Sequence, residues 1–83
     1  MVQSINTTRR KRARSLPDPA ATVWRLPAVS TFTGRSRSSI LRDVPEGRFP
    51  RPIKLGENSV GWLRTEVEKW LADRIAERDR VAA

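Results

Sequence analysis

The sequence has no cysteine and no histidine. Without cysteine the chain cannot form a disulfide or use a thiolate as nucleophile or ligand. Without histidine it lacks the commonest general base and the commonest transition-metal ligand. Its acidic residues nearest to turns and helix ends, Asp43, Glu46 and Glu57, show no spacing that suggests a catalytic or metal-binding partner. We therefore expect no enzyme activity, no metal site and no cofactor.

Long hydrophobic segments are also missing. No apolar run approaches the roughly 20 residues that span a membrane, and the basic N-terminus is not followed by the apolar core of a signal peptide. We expect a soluble cytoplasmic protein with no membrane partner. With 83 residues and 37% hydrophobic content, the chain has room for one small core, and hence for one domain.

What the sequence has in excess is positive charge. The formal net charge is +8, and it lies entirely before residue 64. Residues 1–22 carry a net +4 and residues 23–63 another +4, whereas five basic and five acidic residues balance in residues 64–83. A basic chain is attracted to polyanions, among which nucleic acid, lipid headgroups and acidic proteins all remain possible at this point. We expect the surface that faces such a partner to precede residue 64.

Residues 1–22 show no apolar periodicity, and a Pro17-Asp18-Pro19 break lies near their end. This predicts a disordered basic arm, with order beginning at residue 23. The basic side chains of the arm are either simply solvated or lie along DNA phosphates or in the minor groove. They are Arg9, Arg10, Lys11, Arg12 and Arg14.

Two short helices are predicted next. Leu26, Val29 and Phe32 recur every three residues, which predicts a helix from Pro27 to about Thr33. Gly34 suits the left-handed residue that closes such a helix. The second helix should start after Ser36, a good N-cap, and should end near Asp43 because Pro45 cannot continue it. Its predicted buried side chains are Ile40, Leu41 and Val44.

Two helices joined by a tight turn form a helix-turn-helix, in which the second helix enters the major groove of DNA. An ordinary helical hairpin with solvated arginines remains the alternative. Under the DNA-binding interpretation, an arginine of the second helix grips guanine or phosphate, while serines make shorter contacts. The candidate residues at this site are Arg35, Ser36, Arg37, Ser38, Ser39 and Arg42.

A β-hairpin should follow. The segments 53–55 and 60–62 flank Gly56-Glu57-Asn58-Ser59, whose glycine and asparagine favour a turn. A lone hairpin is marginal in water, so its apolar side should pack on the helices. That side is predicted to contain Ile53, Leu55, Val60 and Trp62. A hairpin after a helix-turn-helix predicts a wing, although it could also serve only to close the core. The wing candidates for DNA binding are Arg48, Arg51, Lys54, Asn58 and Ser59.

A third helix is predicted from Thr65 to about Arg78, because Thr65 and Glu68 fit a capping box and apolar residues follow at helical spacing. We expect Trp70 and Leu71 to pack on the core, at about 2–3 kcal/mol each, so that Trp70→Ala unfolds the domain. Aromatic residues that stack on single-stranded bases are the competing interpretation. The predicted fold is mainly α with a small β-hairpin: a winged helix-turn-helix of three helices plus a wing over residues 23–80, with a tail at 81–83.

Several short motifs, taken in order over residues 24–78, resemble the AlpA family of small phage-type regulators. They are Leu26-Pro27-x-Val29, Thr33-Gly34-x-Ser36-Arg37-Ser38-Ser39-Ile40, Glu46-Gly47-Arg48-Phe49-Pro50-Arg51-Pro52-Ile53-Lys54-Leu55-Gly56, Val60-Gly61-Trp62 and Glu66-Val67-x-x-Trp70-Leu71. The resemblance implies a MerR-like winged helix-turn-helix, shared with excisionases, that binds double-stranded DNA of a prophage or other integrated element in a bacterium, where it would be associated with the nucleoid.

In such proteins the resemblance implies one of two roles. The first is that of an excisionase, or recombination directionality factor, which bends attachment-site DNA so that a tyrosine integrase excises the element. The second is transcriptional regulation of excision genes. We expect the first role, with a tyrosine integrase and cooperative self-association on DNA as partners. The chain departs from the family pattern at Pro45, where relatives continue the helix, at Leu41, which replaces a frequent tyrosine, and at Asn58, which replaces a frequent arginine.

Overall fold

The computed structural model of the protein describes residues 16–82. Their elements, in chain order, are β1 (Val23–Trp24), α1 (Leu26–Thr33), α2 (Arg37–Asp43), β2 (Ile53–Gly56), β3 (Ser59–Leu63) and α3 (Arg64–Ala82). Two short helices with a tight turn between them, followed by a hairpin and a third helix, form a winged helix-turn-helix. The predicted fold class is confirmed.

The sheet is larger than the predicted hairpin. β1 pairs antiparallel with β3, with Trp24 opposite Trp62, and β2 pairs antiparallel with the other edge of β3 in the order β1-β3-β2. A two-residue strand carries no readable alternation, so β1 could not be predicted from sequence periodicity. We call the β2–β3 hairpin the wing; its pairing shifts register between Lys54 and Gly56.

The turn between α1 and α2 forms as its residues predict. Gly34 adopts a left-handed φ of 75° and closes α1, with its N–H donating to the Ser30 carbonyl. Ser36 caps α2 by accepting a hydrogen bond from the Ser39 N–H. α2 ends at Asp43, two residues before Pro45, as expected. These local signals are strong because each one supplies a backbone conformation or a hydrogen bond that the helix end requires.

A small apolar core joins the helices to the sheet. Its fully buried side chains are Val29, Ile40, Trp62 and Val67, and Trp24, Ala28 and Phe49 are nearly so. Phe49 lies in the link between α2 and β2 but does not point into solvent. Instead, its ring packs 5.0 Å from that of Trp70, centroid to centroid, and also meets Trp62 edge-on. The Trp62 indole N–H donates to the Pro50 carbonyl at 2.8 Å, so this link is held against the core.

Five apolar side chains that the sequence pattern places toward the core are exposed instead. On the wing, Ile53, Leu55 and Val60 are exposed, and only Trp62 of the predicted apolar side is buried. The hairpin projects from the body, so most of its apolar side chains have no helix to cover them. Leu41 on α2 is 52% exposed rather than buried. Ile75 on α3 is also exposed, because that helix extends past the core.

The third helix is longer than predicted, from Arg64 to Ala82. Thr65 therefore lies in its first turn rather than at the N-cap, and Glu68 accepts a hydrogen bond from Arg64 instead of completing a capping box. Before β1, the chain turns at Asp18, whose carbonyl accepts from the Ala21 N–H and from the Trp24 indole. The arm was predicted over residues 1–22, of which residues 1–15 lie outside the described residues.

Candidate nucleic-acid interface

The exposed side of α2 is formed by four residues at helical spacing. Arg37 and Ser38 lie one turn before Leu41 and Arg42, and all four are exposed, whereas Ile40 and Asp43 on the opposite side are buried. We call Arg37, Ser38, Leu41 and Arg42 the reading face. Its two arginines flank an apolar side chain and a hydroxyl, which are the types of group that contact base edges and phosphates in a major groove.

Ser36 and Ser39, predicted as DNA contacts, are occupied within α2. The Ser36 hydroxyl accepts from the Ser39 N–H at 3.1 Å and donates to the Ser39 hydroxyl at 2.9 Å. Both therefore fix the start of the helix, and an oxygen of this pair can still accept or donate one further bond. Their first role is to orient the reading face.

A buried carboxylate at the end of α2 ties the helix-turn-helix together. Asp43 is only 3% exposed, and its carboxylate accepts from the Arg35 guanidinium at 2.7 Å, with Arg42 Nε more distant at 3.9 Å. Its backbone carbonyl also accepts from the N–H groups of Glu46 and Arg48. The ion pair joins the turn before α2 to the end of that helix, and the Asp43 carbonyl holds the link that follows, so the Arg35 guanidinium already has a partner within the fold.

Sequence reasoning missed this role and treated Asp43 as an unpartnered carboxylate. One signal was present: Asp43 lies three residues after the buried Ile40, on the same side of the helix. Its partner, Arg35, lies eight residues earlier, in the turn before α2. Helical spacing does not predict a contact between these two positions.

The candidate residues after α2 are mostly exposed cations. Arg51 and Lys54 have no carboxylate within ion-pair distance among residues 16–82, and neither does Arg37. Arg48 forms an exposed pair with Glu46 at 3.2 Å. Asn58 is exposed in the turn of the wing, and Ser59 is half-buried at the start of β3. The structure thus brings two sets of cations, on α2 and beside the wing, onto the outside of one small body.

The basic side chains of the arm, from Arg9 to Arg14, lie outside the described residues. Within residues 16–82 no helix is long and apolar enough to cross a membrane.

The comparison with known families decides what kind of protein carries this surface. Residues 22–75 match the family described as "Prophage CP4-57 regulatory protein (AlpA)". The chain belongs to the AlpA family. The match covers α1, α2, the wing and most of α3, which are the elements that build and support the reading face. The resemblance stated from the sequence motifs is confirmed.

Two curated relatives are similar to the chain. An uncharacterized protein, ORF88, of Enterobacteria phage P4 is 45% identical over 56 residues, covering 68% of this chain and 64% of the phage protein. The DNA-binding transcriptional activator AlpA of Escherichia coli K12 is 36% identical over 61 residues, covering 66% of this chain and 87% of the activator. The chain thus spans less than two thirds of the phage P4 protein. No solved structure matches the chain significantly.

Proposed function

We propose that this AlpA-family chain is a regulator that binds double-stranded DNA of a prophage or integrated element through the reading face and the wing. One observation carries the proposal: Arg37 and Arg42 point outward on a helix whose other side is locked into the core by Ile40 and Asp43. An outward cationic helix after a tight turn suits a major groove lined by phosphates. The chain would act by binding alone, without enzymatic chemistry or a cofactor.

Within that surface, the side chains suit different parts of DNA. Arg37 and Arg42 match the acceptors of guanine or the phosphate oxygens, and Leu41 between them matches the 5-methyl group of thymine. The candidates in and beside the wing would contact the DNA backbone or the minor groove next to the site read by α2. They are Arg48, Arg51, Lys54, Asn58 and Ser59. The arm residues up to Arg14 would add affinity without specificity.

The DNA-binding step is tested with Arg37→Ala in a titration of duplex DNA from the element that carries the gene. We expect the variant to lose about 1–3 kcal/mol of binding free energy if Arg37 reads a base, with relaxed preference at one base pair. Arg80→Ala, which removes the same charge from an exposed site near the end of α3, is the matched control and should bind normally. Equal affinities for the wild type and Arg37→Ala on every sequence would contradict the proposal.

For the biological role we propose an excisionase, or recombination directionality factor, that bends attachment-site DNA for a tyrosine integrase. A seven-residue recognition helix reads few base pairs, so several copies bound cooperatively, together with DNA bending, would supply the missing specificity. The small body, with one DNA-facing surface, supports an architectural role. One protein bound per long attachment-site fragment at saturation would contradict cooperative assembly.

A second role, activation of transcription of excision genes, is favoured by the similarity to a DNA-binding transcriptional activator. The two roles separate in a reconstituted reaction that contains purified integrase, this protein and a plasmid with directly repeated attachment sites, without RNA polymerase. Excision that requires this protein supports the excisionase role. Excision that proceeds equally without it, together with a promoter that responds to the protein in cells, supports the activator role.

A further inference from the structure

A polar cleft lies beside the reading face, between α2, the link after it and α3. It has a volume of about 420 Å³, and arginines from four separate positions converge on it. Its polar lining consists of Arg35, Arg42, Asp43, Arg48, Asp73 and Arg74. The basic and acidic residues of positions 64–83 balance, so the sequence predicted no DNA contact on α3. Only the fold shows that Arg74 lines the same cleft as Arg42 and Arg48.

The two carboxylates of the cleft are already balanced by cations. Asp43 accepts from Arg35 at 2.7 Å, and Asp73 accepts from Lys69, one turn earlier on α3, at 3.2 Å. Arg74 has no carboxylate within ion-pair distance in the part of the chain that the structure describes. The cleft therefore has more positive charge than its own acidic groups neutralise.

The walls of the cleft are fixed to one another. The Trp70 indole N–H donates to the Arg48 carbonyl at 2.9 Å, which fastens the link to α3 one turn before Arg74. Gly47, with a left-handed φ of 78°, makes the bend that precedes Arg48. The Arg48 and Arg42 side chains remain 70% and 67% exposed, so a ligand in solvent can reach both guanidinium groups, although Arg48 also pairs with Glu46 at 3.2 Å.

From this arrangement we infer that the cleft holds a backbone phosphate of the bound duplex, with Arg74 of α3 as a phosphate contact alongside Arg42 and Arg48. The inference rests on the proposed DNA-binding function. A guanidinium fork matches two phosphate oxygens, and the cleft adjoins the reading face through Arg42. The third helix would thus contact DNA directly, in addition to supporting the core.

The test compares Arg74→Ala with Arg80→Ala in full-length protein, with Kd measured against salt concentration on specific and nonspecific duplexes. Arg80 lies six residues further along α3, does not line the cleft and pairs with Glu77. We expect Arg74→Ala to weaken binding to both duplexes by the same factor. The negative slope of log K against log salt should become shallower by about 0.9, the value for one phosphate contact on B-DNA. Arg80→Ala should keep the wild-type slope.

A second arm identifies the ligand as backbone phosphate. Neutral methylphosphonate linkages are placed singly along the binding site, and at one position the wild type should lose more affinity than Arg74→Ala, which retains only Arg42 and Arg48 as contacts to that phosphate. If the wild type binds DNA but Arg74→Ala keeps its slope and responds to every methylphosphonate as the wild type does, the inference is overturned and the proposed function stands. If the wild type fails to bind duplex DNA at all, the proposed function falls as well.

Discussion

Leu41 lies between Arg37 and Arg42 on the outer side of α2, 52% exposed to solvent. Exposing a leucine side chain to water in the middle of a cationic surface contributes nothing to the stability of the fold. In a major groove its natural contact is the methyl group that distinguishes thymine from the other bases. The apolar residue that sequence periodicity placed in the core is therefore a candidate for base recognition.

Replacing thymine by deoxyuridine in the DNA site tests this role, because only the 5-methyl group is removed. We expect the wild type to lose about fourfold in affinity for each methyl group it contacts, equivalent to about 0.8 kcal/mol. Leu41→Ala should bind both DNAs equally, whereas Val81→Ala, an exposed apolar truncation on α3, should respond as the wild type does. An identical loss in the wild type and Leu41→Ala would exclude a methyl contact by Leu41.

Asp43 is the residue on which the geometry of the helix-turn-helix depends. We expect Asp43→Asn to lower the free energy of unfolding by about 1–3 kcal/mol, because it leaves the partly buried Arg35 guanidinium without its counter-charge. Asp73→Asn, which breaks an exposed pair with Lys69, should cost only about 0.3–0.5 kcal/mol. Urea unfolding of both variants measures the difference, and equal midpoints would show that the buried pair stabilises the fold no more than the exposed pair does.

At the scale of elements, β3 is the central strand, and side chains of both neighbouring strands approach Gly61 closely. A Cβ at Gly61 would lie 2.6 Å from Val23 Cγ1 and 2.9 Å from Leu55 Cδ1, so side chains of β1 and β2 both come close to this residue. The strand needs a residue without a side chain here. In the sequence, Gly61 stood out only as part of the Val60-Gly61-Trp62 motif. β1, whose Val23 side chain approaches it, was not predicted.

Gly61→Ala should therefore destabilise the sheet by about 1–3 kcal/mol, the typical cost of overpacking. Gly56→Ala is the matched control, because a Cβ there would meet nothing closer than 3.9 Å. Thermal unfolding of the two variants measures the effect. A Gly61→Ala protein as stable as Gly56→Ala would mean that β1 moves away at no cost.

Helix boundaries were predicted well where a residue forces the end of a helix, and poorly where none does. α2 ends at Asp43, two residues before Pro45, and α1 ends before Gly34, whose φ is positive. α3 continues past Arg78 to Ala82 because no glycine or proline stops it. Its last turns gain local ion pairs, including Arg80 with Glu77.

At the scale of the whole molecule, three tryptophans dominate a core that has few other large side chains. Trp62 is fully buried and Trp24 nearly so, whereas Trp70 is only partly buried at the edge of the core. From its helical spacing in the sequence, Trp70 was predicted to be essential for folding. By burial, Trp62 contributes more to the core than Trp70 does.

We expect Trp62→Ala to unfold the domain, because the loss of about 3–5 kcal/mol equals the total stability that such a small core supplies. Trp70→Ala should remain folded, with a lower melting temperature, because it loses part of its burial, its packing on Phe49 and one hydrogen bond to the Arg48 carbonyl. Circular dichroism at 25 °C distinguishes the two. A folded Trp62→Ala or an unfolded Trp70→Ala would reverse the ranking.

The sequence by itself determined the features that depend on near neighbours: the turn at Gly34, the cap at Ser36, the end of α2, the existence of the wing and the uneven positive charge. Each is a local requirement of backbone geometry, hydrogen bonding or composition. Tertiary structure alone decided which apolar residues the small core could cover, and it left Leu41 and much of the wing outside. It also brought Asp43 to Arg35 and placed Arg74 in the same cleft as Arg42, because such proximity depends on how helices and sheet pack in space rather than on spacing along the chain.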